Sequence, residues 1–182
     1  MTESAVTAFV GDSLTERGDW QQVLPAGNAL NFGVGGNTTD DLLERLDDVV
    51  ASRPETVVLE IGTNDFAWRL PLEQVVENIE RVMTELRGKL PEARIVVQSI
   101  LPRQQEYAHI VRGVNEQVAA FAPSVRAEYL DVWPALAGDD EGLKPEFTID
   151  GLHLTESGYA AWYALLRDLL AAWPPHWGVL PH

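Results

Sequence analysis

Apolar residues recur along this chain in two alternating rhythms. Short, nearly continuous apolar runs (Val6, Ala8, Phe9, Val10; Val57, Val58, Leu59; Ile95, Val96, Val97) are separated by stretches with an apolar residue every three or four positions. A continuous run suits a strand covered on both faces, as in a parallel sheet packed between helices. Strands are predicted over residues 5–10, 29–32, 56–61, 94–100 and 128–132. Between them, Leu42, Leu43, Leu46, Val49 and Val50 form one helical stripe, with Thr38, Thr39 or Asp40 as its N-cap. A second stripe runs from Val75 through Ile79, Val82, Met83 and Leu86 to Leu90, before Pro91. A third carries Ile110, Val111, Val114, Val118 and Phe121 and stops at Pro123. The last begins near Thr155 and runs through Tyr159, Trp162, Tyr163, Leu166 and Leu170. Such stripes are the core-facing sides of helices laid on a sheet. The alternation predicts an α/β fold with a parallel sheet.

Length and composition add limits. The 182 residues, 46% of them hydrophobic, suit a single domain over 1–182 with one well-filled core, and no repeat or linker interrupts them. The Pro-rich tail, residues 174–182, is short enough to pack on the body, join an oligomer interface or fray. There is no Cys, so disulfides and thiol chemistry are excluded. His109, His153, His176 and His182 form no HxH or HxxxH pair, and no dedicated metal site or cofactor is expected. The formal charge of −15 repels polyanions, so nucleic acid and acidic membrane surfaces are poor partners. No basic segment opens the chain and no apolar run approaches the ~20 residues of a membrane span, which makes the cytoplasm the default location. The oligomeric state is not legible.

The candidate chemistry sits where predicted strands end. The first strand leads into Gly11-Asp12-Ser13-Leu14, the second into Gly33-Val34-Gly35-Gly36-Asn37-Thr38, and the third into Gly62-Thr63-Asn64-Asp65. In a doubly wound sheet, sites form outside the carboxyl ends of the strands where the order reverses. With the order 2-1-3-4-5, Ser13 lies in the middle of these loops. A Ser hydroxyl needs an imidazole to take its proton, and the imidazole needs a carboxylate to orient it. Asp150-Gly151-Leu152-His153 supplies both near the other end of the chain. The glycine loop offers backbone N–H groups, and Asn64 a side-chain amide, to a developing oxyanion. Each signal alone is common; their ordered combination is not.

The combination resembles the SGNH (GDSL-type) hydrolases, through GDSL at residues 11–14, NFGVGGNTT at 31–39, GTND at 62–65 and DGLHL at 150–154. The resemblance implies a three-layer α/β/α sandwich with a five-stranded parallel sheet and flavodoxin-like order. It also implies a serine esterase, with Ser13 as nucleophile, His153 as general base and Asp150 as its orienting carboxylate. The N–H groups of Ser13 and Gly36 and the side chain of Asn64 would then form the oxyanion hole, with Gly35 as the rival to Gly36. Asp12 is expected to hold loops together. No metal or organic cofactor is implied.

The same motifs admit two other readings. An acyltransferase would use the same residues, and a small-anion-binding module would use the 33–39 loop as a cradle. The expected partner is a small-molecule ester, with acetyl to butyryl groups favoured because so short a chain has little room for a lid. Leu14, Phe66, Trp68, Leu101 and Pro102 lie on loops that would line a substrate pocket, with core packing as the alternative for each. Trp20 and Trp133 are open to the same two readings.

Overall fold

The computed structural model describes residues 5–25 and 27–172, so the tail at 174–182 lies outside the described residues. Five strands, β1 (Val6–Gly11), β2 (Asn28–Gly33), β3 (Thr56–Glu60), β4 (Arg94–Gln98) and β5 (Glu128–Leu130), form one sheet in the order β2-β1-β3-β4-β5. Every pairing is parallel, and Val10 at the centre lies between Phe32 and Leu59. All five predicted strands exist, with the last three ending earlier than expected. Beyond Gln98 a last backbone bond, Ser99 N–H to Leu130 O at 2.9 Å, ends the ladder and side chains take over: Asn115 brackets the N–H and C=O of Ile100, and Ser99 Oγ accepts from Val132 N–H.

Both sheet faces are covered, which makes the fold a three-layer α/β/α sandwich. On one face Ala8, Val10, Val57, Leu59, Ile95 and Val97 pack under α2 (Thr39–Glu44), α3 (Leu46–Ala51), α5 (Leu72–Lys89) and α6 (Ala108–Phe121). On the other, Phe9, Val58 and Val96 meet α1 (Ser13–Glu16), α7 (Trp133–Leu136) and α8 (Glu156–Ala171). A short helix α4 (Thr63–Ala67) follows β3. Each large apolar side chain so buried contributes about 1.5–3 kcal/mol relative to exposure. Trp20 belongs to this second core: its ring stacks on Phe9 at 4.3 Å and meets Trp162 edge-on at 5.3 Å.

The 42–50 stripe is not one helix. It divides at Arg45, whose backbone (φ −111°, ψ 11°) leaves helical geometry between α2 and α3. The Arg45 side chain turns inward, donating to Gly11 O (2.9 Å), Phe32 O (3.0 Å) and Asn37 Oδ1 (2.5 Å). Both halves keep the same apolar side on the sheet, so hydrophobic spacing alone does not reveal the break. Thr38 is the N-cap of α2 and forms a capping box with Asp41.

Gly11 is required by close approach. A Cβ there would lie 2.2 Å from both Glu60 O and Thr15 Oγ1. Only a bare backbone lets β1 turn into α1 directly over β3, and that turn carries Ser13.

Candidate active site

Ser13 opens α1 at the carboxyl end of β1. Asp12 caps this helix, its Oδ1 accepting from Leu14 N–H at 2.9 Å. The Ser13 N–H is an orphan donor of the first helical turn, and no hydrogen bond among the described residues takes it up. Tyr159 OH holds the same helix from α8 by donating to Leu14 O at 2.8 Å.

The segment before α8 brings His153 to Ser13. Ser13 Oγ lies 3.2 Å from His153 Nε2, and His153 Nδ1 lies 2.7 Å from Asp150 Oδ2. An ionised carboxylate only accepts, so the contact with Asp150 assigns the proton to Nδ1 and leaves the Nε2 lone pair facing the hydroxyl. Burial pushes the Asp150 carboxyl up, but bonds from the His153 ring and from the N–H groups of Leu152 and His153 outweigh it and hold the group well below the ordinary carboxylate range. Thr148, not singled out from sequence, locks the turn: its Oγ1 donates to His153 O at 2.8 Å and accepts from Gly151 N–H at 3.0 Å. Gly151 has φ +79°, which folds Asp150 back onto the ring.

The glycine loop makes a β-turn closed by Asn37 N–H to Val34 O at 3.2 Å. Gly36 has φ +81°, whereas Gly35 is not in the positive-φ region. Positive φ at only the third position is the type II pattern, which orients the central peptide and its Gly36 N–H. That N–H has no hydrogen-bond partner among the described residues. Asn64 Nδ2 donates to Asn37 O at 2.9 Å, which leaves its second amide hydrogen as a donor. Next to it, Asp65 is fully buried and accepts from Thr39 N–H and Thr39 Oγ1, while Asn78 donates to Thr39 Oγ1. The loops after β2 and β3 are therefore bound to each other.

The remaining sequence candidates divide sharply. Leu14, Phe66 and Leu101 are buried in the two cores and Pro102 is buried too, whereas Trp68 is 75% exposed. Among the described residues two other large apolar side chains are exposed, Val34 and Ile149, the latter at 94%. All three sit beside site loops: Val34 in the Gly36 turn, Trp68 directly after α4, and Ile149 next to Asp150. Ile149 had a readable signal, an apolar residue abutting DGLH, as did Glu60, a carboxylate inside an apolar run. Arg45 and Thr148 had none, because their roles depend on backbone groups distant in sequence. Trp133 lines a different cavity, about 270 Å³, with Arg112 and Tyr129. Among the described residues no group of three or more His, Asp or Glu is placed to hold a metal, and no helix is long and apolar enough to cross a membrane.

Comparison with known proteins shows the family and the fold. The sequence profile of the GDSL-like Lipase/Acylhydrolase family matches residues 9–161. The human platelet-activating factor acetylhydrolase IB subunit alpha1 is 35% identical over 178 residues, covering 90% of this chain and 76% of that protein. A Streptococcus pneumoniae structure provisionally assigned as a platelet activating factor is 29% identical, with a TM-score of 0.83 over 93% of this chain and 85% of its own. A mutant acetyl-xylooligosaccharide esterase from Geobacillus stearothermophilus shares the fold, with a TM-score of 0.76 at 19% identity and full coverage of both chains. With a profile match over most of its length and a relative of this identity, the chain belongs to the GDSL-like lipase/acylhydrolase family of carboxylic ester hydrolases.

Proposed function

We propose that this chain hydrolyses short-acyl carboxylic esters in two stages through Ser13, His153 and Asp150. The observation that carries the reading is the continuous contact from Ser13 Oγ to His153 Nε2 (3.2 Å) and from His153 Nδ1 to Asp150 Oδ2 (2.7 Å). Ser13 Oγ attacks the ester carbonyl as Nε2 takes its proton, and Asp150 stabilises the imidazolium. The tetrahedral oxyanion is met by the N–H groups of Ser13 and Gly36 and by the free amide hydrogen of Asn64. His153 returns the proton to the leaving alcohol, which departs and leaves Ser13 acylated. Water then attacks the acyl-enzyme, its proton passing to His153 and from there to Ser13 as the acid is released.

Support for a small acyl group comes from packing. Leu14 and Leu101, the apolar residues next to the site loops in sequence, are already buried in the core and offer no room without rearrangement. The name of the human relative points the same way, toward acetyl esters. The bulk of the substrate would then lie outward, against Trp68, Ile149 and Val34. A panel of p-nitrophenyl esters of increasing acyl length tests this, with alcohol acceptors added to detect transfer instead of hydrolysis. Activity falling steeply beyond butyryl, together with fluorophosphonate labelling lost in Ser13→Ala, is expected. Wild-type-like hydrolysis by Ser13→Ala would refute the nucleophile.

A further inference from the structure

Behind Ser13 lies a second carboxylate that the proposed reaction does not use. Glu60 ends the central strand β3 and stands opposite Gly11 in the register with β1, so its side chain is carried to the turn that begins at Asp12. Both groups are inside the protein, at 1% exposure for Glu60 and 0% for Asp12. Asp12 Oδ1 is satisfied by Leu14 N–H, but Asp12 Oδ2 and both carboxyl oxygens of Glu60 have no hydrogen-bond partner among the described residues.

Two ionised carboxylates in that state are not tenable. An unpaired buried charge is costly, and a second one beside it more so. A single proton resolves the conflict, because a protonated carboxyl becomes a donor and the neighbouring carboxylate its acceptor. The surroundings choose the carrier. Asp12 has the Leu14 N–H and the positive field of Arg103, set against the negative field of Asp65. Among the described residues Glu60 has neither a donor nor a cation; besides Asp12, the titratable group whose field it shares is Tyr159 from α8. Burial pushes both carboxyls up, Asp12 to about 7 and Glu60 well above the ordinary range.

We infer that Glu60 is kept as a neutral carboxylic acid that donates to Asp12 Oδ2 and so acts as a positioning residue for the Ser13 helix. Asp12 then uses one oxygen to cap α1 and the other to accept the Glu60 proton. The cap in turn sets the direction of the Ser13 N–H and of Oγ. Loss of the shared proton at alkaline pH places two negative charges behind the site, which weakens the cap and opposes the oxyanion. The catalytic part of this inference rests on the proposed function of Ser13; the protonation of Glu60 does not.

The sign of the pH dependence follows from the raised folded-state values. Both groups ionise near 4 in the unfolded chain. Their protonated state therefore favours folding fully at low pH, and that contribution is lost as pH rises through the folded-state values.

Three measurements on the full chain test the inference. Infrared difference spectroscopy at neutral pH should show a protonated carboxyl C=O band in the wild type that disappears in Glu60→Gln. Glu60→Ala should lower kcat by at least about tenfold, the factor that a lost hydrogen bond to a charged group is worth, with Glu60→Gln rescuing most of it because its amide still donates. Glu60→Gln should also lose less activity and less Tm than the wild type between neutral and alkaline pH. Absence of the acid band, or a Glu60→Gln pH profile that superimposes on the wild type, overturns the inference. If Ser13 is not the nucleophile, the infrared and Tm results still stand while the kcat results do not, so the two failures are distinguishable.

Discussion

Asn64 Nδ2 donates to the carbonyl oxygen of Asn37 at 2.9 Å, joining the loop after β3 to the glycine turn after β2. One amide hydrogen thus holds the partner loop, and the other is the donor assigned to the oxyanion in the proposed function. Asn64→Ala is expected to lower kcat by about 10²–10³ with a smaller change in KM, because the donor acts mainly on the charge that develops in the transition state. Steady-state kinetics on p-nitrophenyl acetate checks this, and an effect confined to KM would count against an oxyanion role.

The turn distinguishes its two glycines. A Cβ on Gly36 meets nothing within 4 Å, but its φ of +81° is unfavourable for any other residue. Gly36→Ala should therefore cost about 1–2 kcal/mol of local conformational energy, or flip the central peptide and turn its N–H away. Gly35 carries no such φ, and a Cβ there would approach only the mobile end of Glu16 at 2.8 Å. Gly36→Ala is expected to lose activity, with Gly35→Ala close to wild type. The reverse order would transfer the donor role to Gly35.

Arg45 ties together the ends of β1 and β2 and the glycine loop through Gly11 O, Phe32 O and Asn37 Oδ1. Removing the guanidinium takes a donor from each of the three, although Gly11 O still accepts from Val34 N–H at 3.0 Å. Arg45→Ala is expected to cost about 2–3 kcal/mol in urea unfolding, given the strength of hydrogen bonds to a charged group and the partial exposure of this one. Activity should fall as well, since two of the three acceptors flank residues of the site.

The Asp150 carboxyl is held below its ordinary range, so the sign is opposite to that at Glu60. Its contribution to stability is present above the unfolded value near 4 and is lost as pH falls through the folded value. Asp150→Asn should lower kcat by about 10⁴, because the imidazole loses its orienting acceptor. The Tm difference between wild type and Asp150→Asn should be present at neutral pH and shrink progressively as pH falls below about 4, as followed by thermal melts across pH.

Trp68 and Ile149 are exposed at 75% and 94%, so truncating either should change stability by no more than about 0.5 kcal/mol. Their placement beside the Asn64 and Asp150 loops predicts a different effect. Trp68→Ala and Ile149→Ala should raise KM for esters of bulky apolar alcohols while leaving p-nitrophenyl acetate nearly unaffected. Unchanged KM across both substrates would remove them from the substrate surface.

The fold was legible because hydrophobic periodicity is a local property. Runs such as Val57-Val58-Leu59 report burial on both faces wherever they occur, and the spacing of Val75, Ile79, Val82 and Leu86 reports a helix with one face on the sheet. The loops carrying Ser13, Gly36, Asn64, Asp150 and His153 were legible as motifs. Their meeting was not, because Ser13 and His153 are 140 residues apart in the chain and 3.2 Å apart in space. The same limit explains Arg45, which interrupts a continuous apolar stripe to satisfy carbonyls on two strands. It also explains the proposed pocket residues: on a loop, Leu14 and Trp68 look equally available, and only packing buries one and exposes the other. Glu60 is the sharpest case. In sequence it is one charge in an apolar run; only the register opposite Gly11 brings it to Asp12, where two buried carboxylates with three unmatched oxygens require a proton. Periodicity is decided by neighbours along the chain, whereas protonation, alignment and exposure are decided by neighbours across it.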